Sequence, residues 1–360
     1  MMKIAFRTDS SLRIGTGHMM RCMALADILQ SLGAETRFIC RNILDHHAAL
    51  LQRKNHSVTQ LPEHRRPVLN DGLAHSEWLG VSQWQDAEDS QRALADEFWD
   101  WLVVDHYALD FRWEAIMQYS AAHILVIDDL ADRKHTCHVL LDQNLHIDME
   151  TRYSDNVPLD CRLFLGPDYA LLREEFLLWR NFVRPRTGPV NQVLVFLGGV
   201  DADNITSRVI RAVAKLGQPQ IRVAVVVGAH HPARDCIETY CRQNGYQFYV
   251  ETRQMAEMMA KSDVAIGSAG TSTWERCCLG LPTLCVSIAK NQIPIAKALA
   301  LHEAGIDLGE GDLLSEPELQ ASLLRLIHNR TELTAFSNRC LSLVDGCGAK
   351  RVAEAMRSVG

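Results

Sequence analysis

Short apolar runs alternate with longer amphipathic segments along almost the whole chain, and the alternation breaks off once and then resumes. Lys3–Thr8, Thr36–Cys40, Trp101–Asp105, Ile124–Asp128 and Val139–Asp142 read as short buried strands. The clearest intervening segment is His18–Leu32, where Cys22, Leu25, Leu29 and Leu32 recur at helical spacing and Gly33 supplies a stop. A second strand set follows at Gln192–Leu197, Arg222–Val227, Gln247–Val250, Val264–Ile266 and Thr283–Val286. Helical segments near Asn204–Leu216, Pro232–Asn244, Ser272–Cys278, Ile293–Glu303 and Pro317–His328 accompany it. Strands buried on both faces and joined by helices require parallel sheets wrapped by helices.

The expected architecture is therefore α/β, with two Rossmann-like, doubly wound parallel-sheet domains over residues 1–178 and 190–345. Sites in such sheets lie beyond the carboxyl ends of the strands, so the two domains are expected to face a central cleft. Between them Trp179–Pro189 is charged, proline-bearing and aperiodic, and reads as a linker. In residues 346–360 a last helical stretch, Ala349–Arg357, closes the second domain or packs back across the linker. The segment His64–Asp89 is weakly periodic and reads as including a surface excursion, with no function assigned to it.

Composition narrows the function. Hydrophobic residues make up 47% and charged residues 22%, which is globular usage. With 37 basic against 44 acidic residues the net charge is −7, which argues against a dedicated nucleic-acid binder. Apolar runs such as Val223–Val227 fall far short of the roughly 20 residues a membrane helix needs, so no membrane insertion is expected. Charge arrives at once in Met1–Asp9, leaving no signal-peptide core, and a cytoplasmic location is expected. The 11 cysteines form no C-x-x-C pair, and the His46-His47 and His230-His231 doublets lack ligands at zinc-site spacing. Neither a metal nor a cofactor is expected. The oligomeric state stays open, a monomer being compatible with the sequence.

The first strand runs into a glycine loop, Ile14-Gly15-Thr16-Gly17-His18. Its glycines permit a sharp turn, and the helix beginning near His18 offers free N–H groups to an anion or a sugar. The third glycine of a dinucleotide fingerprint is missing, its place taken by Met20, and no Gly-Lys-Ser/Thr makes a P-loop. His18 meets the positive end of the helix dipole, which favours the neutral imidazole a general base must be. A capping or core histidine is the competing account. Two further strands end in Asp105-His106-Tyr107 and Asp128-Asp129, whose carboxylates suit hydroxyl binding, orientation of His18 or helix capping. In the second half, Leu197-Gly198-Gly199 and Gly267-Ser268-Ala269-Gly270-Thr271 follow strands and make phosphate cradles, or simply tight turns. Ser268, Thr271 and Arg173 are the donors for a metal-free diphosphate, and Glu275 suits ribose hydroxyls.

Taken in order, these segments resemble the nucleotide-sugar hydrolases of the pseudaminic acid pathway. The resemblance rests on Phe6–Ser10 with Ile14–Arg21, Val104–Tyr107, Ile127–Arg133, Leu141–Asn144 and Gly166–Phe176. It continues through Leu197–Asp201, Gly267–Glu275 and Lys290–Gln292 and so covers most of the chain. Thr16 stands between the loop glycines where a bulkier residue also occurs in the family. That family looks like the GT-B glycosyltransferases, so the resemblance implies a UDP-sugar substrate, metal-independent release of UDP and the free sugar, and His18 as base. Asp105, His106 and Tyr107 are expected to orient the sugar or the base, Asp105 and Tyr107 as catalytic partners of His18, with Arg13, Gly15, Gly17, His106 and Asn144 as the sugar contacts. Arg173, Gly198, Gly199, Ser268, Gly270, Thr271, Glu275 and Asn291 would hold UDP. Attack by water opposite the leaving diphosphate would invert the anomeric carbon. A GT-B glycosyltransferase is the alternative, but the N-terminal half shows no concentrated apolar and basic segment for a lipid-linked acceptor. An epimerase and a non-catalytic nucleotide-sugar binder are further competitors.

Overall fold

The computed structural model describes residues 1–64 and 71–359. The chain divides into two compact units, one of Met1–Asn144, Asp148–Arg173 and Gly348–Gly360, the other of Leu145–Ile147 and Glu174–Cys347.

The first unit runs β1 (Lys3–Thr8), α1 (Gly17–Ser31), β2 (Glu35–Cys40), α2 (Asp45–Arg53), β3 (Ser57–Gln60), α3 (Gln83–Leu94), β4 (Trp99–Asp105), α4 (Phe111–Met117), β5 (Ala121–Ile127), β6 (Val139–Asp142) and β7 (Arg162–Leu165). Its seven strands are parallel in the order β3-β2-β1-β4-β5-β6-β7. Period-two alternation sends Ile4 and Phe6 to one face, with Cys22, Leu25 and Leu29 of α1. Ala5, Leu102 and Val104 go to the other, with Trp113 of α4. Leu32, expected on the buried stripe of α1, lies past its last turn and is exposed.

The second unit runs α5 (Glu174–Arg180), β8 (Gln192–Phe196), α6 (Ile205–Lys215), β9 (Arg222–Val227), α7 (Arg234–Gln243), β10 (Gln247–Val250), α8 (Met255–Lys261), β11 (Val264–Ser268), α9 (Ser272–Cys278), β12 (Thr283–Ser287), α10 (Ile293–Leu301), β13 (Gly305–Glu310), α11 (Glu316–His328) and α12 (Arg330–Leu343). Its six strands are parallel in the order β10-β9-β8-β11-β12-β13. The last helix, α13 (Gly348–Val359), returns to the first unit, where Val352 and Met356 join the cluster that holds Cys22 and Ala26. A Cβ on Gly348 would sit 2.4 Å from the Ala170 carbonyl oxygen, so the start of α13 needs glycine for that approach.

The crossing between units falls at Arg173/Glu174, ahead of the stretch 179–189 expected as a linker. That stretch is bound into the second unit through Arg186, which is buried and donates to the carbonyls of Met259, Ala260 and Ser262 at 3.1–3.3 Å and also to that of Leu279. Burial brings the Arg186 guanidinium down to about 10. Among the described residues, no helix is long and apolar enough to cross a membrane.

Candidate active site

In the first sheet the chain builds β1, β2 and β3 to one side and then crosses to β4 on the other. Open parallel sheets bind ligands beyond the strand carboxyl ends where the order reverses in this way. The last residues of β1 and β4, Thr8 and Asp105, are paired there.

After β1, Gly15 takes φ +84° and its N–H donates to the Ser11 carbonyl at 2.8 Å, closing a loop that delivers Gly17 as the first residue of α1. His18 follows, 8% exposed. Its Nδ1 lies 2.6 Å from Oδ1 of Asp105. Arg21, one turn further on the same helix face, donates from Nε to Oδ2 and from Nη2 to Oδ1 of that carboxylate, both at 2.7 Å. Burial pushes the Asp105 carboxyl up, but Arg21 and His18 overcome it and hold the group well below the usual carboxylate range. An ionised Asp105 accepts Nδ1–H, which leaves the Nε2 lone pair of His18 as the ring's acceptor. No described residue bonds Nε2.

A second carboxylate completes the cluster. Asp129 accepts the Tyr107 hydroxyl at 2.5 Å and the Asn144 amide at 3.0 Å, and lies 3.4 Å from Nη1 of Arg21. Burial and then the Asp129 charge raise the Tyr107 hydroxyl far above its usual range, so it stays a neutral donor. The Tyr107 ring meets His18 edge-on at 4.6 Å between centroids, and Trp78 stacks on Tyr107 at 5.5 Å. His75 closes the group, 4.4 Å from Trp78. The structure thus gathers His18, Asp105, Tyr107 and Asn144. Of the three carboxylates left open by sequence, Asp105 orients His18, Asp129 holds Tyr107, and Asp128 pairs with Arg133 at 2.8 Å.

His106 is buried with Nε2 3.3 Å from Asp9, and its Nδ1 accepts the Ala108 N–H, which ties it into an adjoining buried cluster. Arg13 is exposed and pairs with Glu77 at 2.5 Å. The cluster at His106 is built by Arg7, which donates to Asp9 and Asp86, with Arg41 bonding Asp86 and Asp89 at 2.9–3.0 Å. Asp86 and Asp89 lie on α3, which takes up the end of the stretch 64–89; of the rest, 65–70 fall outside the described residues and 71–82 form turns of mixed exposure, which leaves room for the expected surface excursion there. The buried face of α3 is largely polar, and a reading that counts apolar residues passes over it.

In the second sheet the reversal lies between β8 and β11. Gly198, at φ +100°, follows β8, and a Cβ there would be 3.7 Å from Ser268 Oγ at the end of β11. A Cβ on Gly228 would lie only 1.9 Å from the Gly199 carbonyl, so this backbone approach requires glycine at 228. A Cβ on Gly270 would be 3.5 Å from Gln292 Nε2, which places the loop beside the Lys290–Gln292 turn carrying Asn291. Thr271 precedes α9 and Glu275 lies within it. Gly198, Gly199, Ser268, Gly270, Thr271, Glu275 and Asn291 thus belong to one unit, whereas Arg173 is counted with the other. Sequence reading missed Arg276, 1% exposed, whose guanidinium bonds Thr283, Ser272, Thr273 and the Ser268 carbonyl at 2.7–3.1 Å. It also missed Arg21, for which the three-residue spacing from His18 was the available signal; His75 and Trp78 gave none.

Among the described residues, no group of three or more His, Cys, Asp or Glu is placed to hold a metal ion. Residues 192–345 match the glycosyltransferase family 28 C-terminal domain. MurG of Acinetobacter baumannii superposes with a TM-score of 0.65 at 15% identity, over 99% of this chain and 100% of that one. The fold is GT-B-like. Identity that low establishes this GT-B-like fold and nothing about activity. The spore coat polysaccharide biosynthesis protein SpsG of Bacillus subtilis is 29% identical over 195 residues, 53% of this chain but only 57% of that protein. The UDP-2,4-diacetamido-2,4,6-trideoxy-beta-L-altropyranose hydrolase of Campylobacter jejuni is 23% identical over 301 residues, 83% of this chain and 96% of that one.

Proposed function

We propose that this protein is an enzyme that hydrolyses a nucleotide sugar, UDP-2,4-diacetamido-2,4,6-trideoxy-β-L-altropyranose, to UDP and the free sugar for pseudaminic acid synthesis. The observation that carries the reading is the His18–Asp105 pair at the carboxyl ends of β1 and β4, with His18 Nε2 bonded by no described residue. Its substrate comes from the Campylobacter hydrolase, matched over nearly all of that protein's length. His18 Nε2 takes a proton from water as the water oxygen attacks the anomeric carbon. The bond from that carbon to the diphosphate oxygen breaks, and its electron pair leaves with UDP, inverting the centre. Asp105 stabilises the imidazolium that forms, and Tyr107 and Asn144, held by Asp129, suit sugar hydroxyls or amides. The Gly198–Gly199 turn and the 268–271 loop are assigned to the diphosphate, with Glu275 and Asn291 on the nucleoside side.

The match to the family 28 C-terminal domain favours a second reading, a glycosyltransferase using a UDP-sugar donor. An anomer-resolved NMR time course with the UDP-sugar and no acceptor separates the two. Hydrolysis predicts stoichiometric UDP and free sugar, the α anomer appearing first if the centre inverts. No UDP release until an acceptor hydroxyl is supplied would replace the hydrolase with the transferase.

A further inference from the structure

We propose that Arg21 is a positioning residue for the base: it shares the Asp105 carboxylate with His18 and so keeps the imidazole in its proton-accepting form. The inference rests on the reading of His18 as general base. Asp105 Oδ1 receives both His18 Nδ1 at 2.6 Å and Arg21 Nη2 at 2.7 Å, while Oδ2 receives Arg21 Nε at 2.7 Å. The fork of the guanidinium spans both oxygens, so most of the carboxylate's charge is compensated before the ring draws on it.

A buried aspartate serving a histidine alone would favour the imidazolium, and a ring that already carries two protons cannot accept one from water. The Arg21 guanidinium stays charged at every working pH. Its Nη2 also lies 3.3 Å from His18 Nδ1, where it opposes a second positive charge on the ring. Nη1 reaches toward Asp129 at 3.4 Å, and Asp129 holds the Tyr107 hydroxyl, so one side chain ties together both carboxylates of the cluster.

The groups that face the His18 ring can be named element by element. From α1 come Arg21 and Cys22, whose Sγ lies 3.5 Å from Asp105 Oδ2. From the end of β4 come Asp105 and Tyr107, and from the turn before α3 come His75 and Trp78. Asp129 and Arg133, after β5, act on it through Tyr107, Arg133 lying 5.9 Å from that ring. Among the described residues, Asp105 and Arg21 are the charged side chains within hydrogen-bond reach of the ring.

The test uses the full chain with histidine labelled by nitrogen-15. The His18 ring signals are assigned by their loss in His18→Gln and titrated by NMR, alongside the pH dependence of kcat/KM for UDP release. Arg21→Met is expected to move the His18 midpoint and the ascending limb of the profile to higher pH by about one unit or more, with activity recovering at high pH. Arg21→Lys, which keeps the charge but not the fork, is expected to move both by less. An Arg21→Met protein whose activity falls equally at every pH, with the midpoint unmoved, would overturn the proposal and leave Arg21 a structural residue. Where Arg21→Met does not fold, Arg21→Lys decides: a smaller upward move supports the proposal and an unmoved midpoint overturns it. The titration needs no turnover. A moved midpoint without UDP release defeats the hydrolase reading alone, and turnover with an unmoved midpoint defeats the Arg21 assignment alone.

Discussion

His18 and Asp105 stand 87 residues apart in the chain, yet Nδ1 of one lies 2.6 Å from Oδ1 of the other. The pairing orients the ring and selects its tautomer. His18→Ala is expected to lower kcat for UDP release by about 10²–10⁴-fold while changing UDP affinity little, since the role proposed for it is water activation. Asp105→Asn is expected to lose ~10²-fold or more, because an amide presents a donor or a weaker acceptor to Nδ1. Steady-state kinetics with calorimetric UDP binding checks both; wild-type turnover by His18→Ala would remove the base.

The approach of Gly228 to the Gly199 carbonyl makes a prediction for the second unit. In Gly228→Ala the methyl cannot fit without moving the Gly198–Gly199 turn, so weaker UDP binding and a lower melting temperature should accompany each other. Gly188→Ala, where an added Cβ meets nothing within 4 Å, is the matched control and is expected to leave both unchanged. Unaltered UDP binding by Gly228→Ala would remove that turn from the proposed nucleotide site.

Asp86 receives Arg7, Arg41 and the Trp113 indole N–H in a fully buried setting. Removing one partner from such a cluster strands the remaining charges. Asp86→Ala is therefore expected to cost about 3–5 kcal/mol in urea unfolding. A loss below about 1 kcal/mol would show that the arginines find other partners.

Acid should weaken the first unit. Burial pushes Asp128 up, but Arg133 and His135 bring it to about 2, against an ordinary 3.8. Asp9, Asp86 and Asp105 are depressed in the same way, with burial opposed by Arg7 at Asp9 and Asp86 and by Arg21 at Asp105. A carboxylate lowered on folding stabilises fully above its unfolded value and loses that contribution as pH falls toward the folded one. Urea midpoints followed by circular dichroism should hold level down to about pH 5 and decline from about 4 toward 2. Midpoints that rose over that last interval would contradict the ion-pair account.

Most strands legible in the sequence carry a long buried run, such as β1, β4 and β9, although β10 was read without one. The strands passed over lack such a run. β3 and β7 lie at the two edges of the first sheet and are only partly buried, and β13, at one edge of the second, buries two of its six residues. In α3 the positions that face inward include Gln83, Asp86, Asp89 and Ser90, a polar stripe that answers the arginines at 7 and 41. Only the arginines' location on the opposing surface makes such a stripe recognisable.

Chain order alone determined that two parallel sheets would form and that a histidine would follow a glycine turn at the start of a helix, because strand and helix periods and turn chemistry are local properties. It did not determine which carboxylate that histidine would meet. Pairing Thr8 with Asp105 brings the ends of β1 and β4 together across nearly a hundred residues. The same folding turns His106 toward Asp9 and sets Arg21 against Asp105. Such contacts depend on strand order and register, which arise from the packing of the whole unit and leave no periodic trace in any one segment.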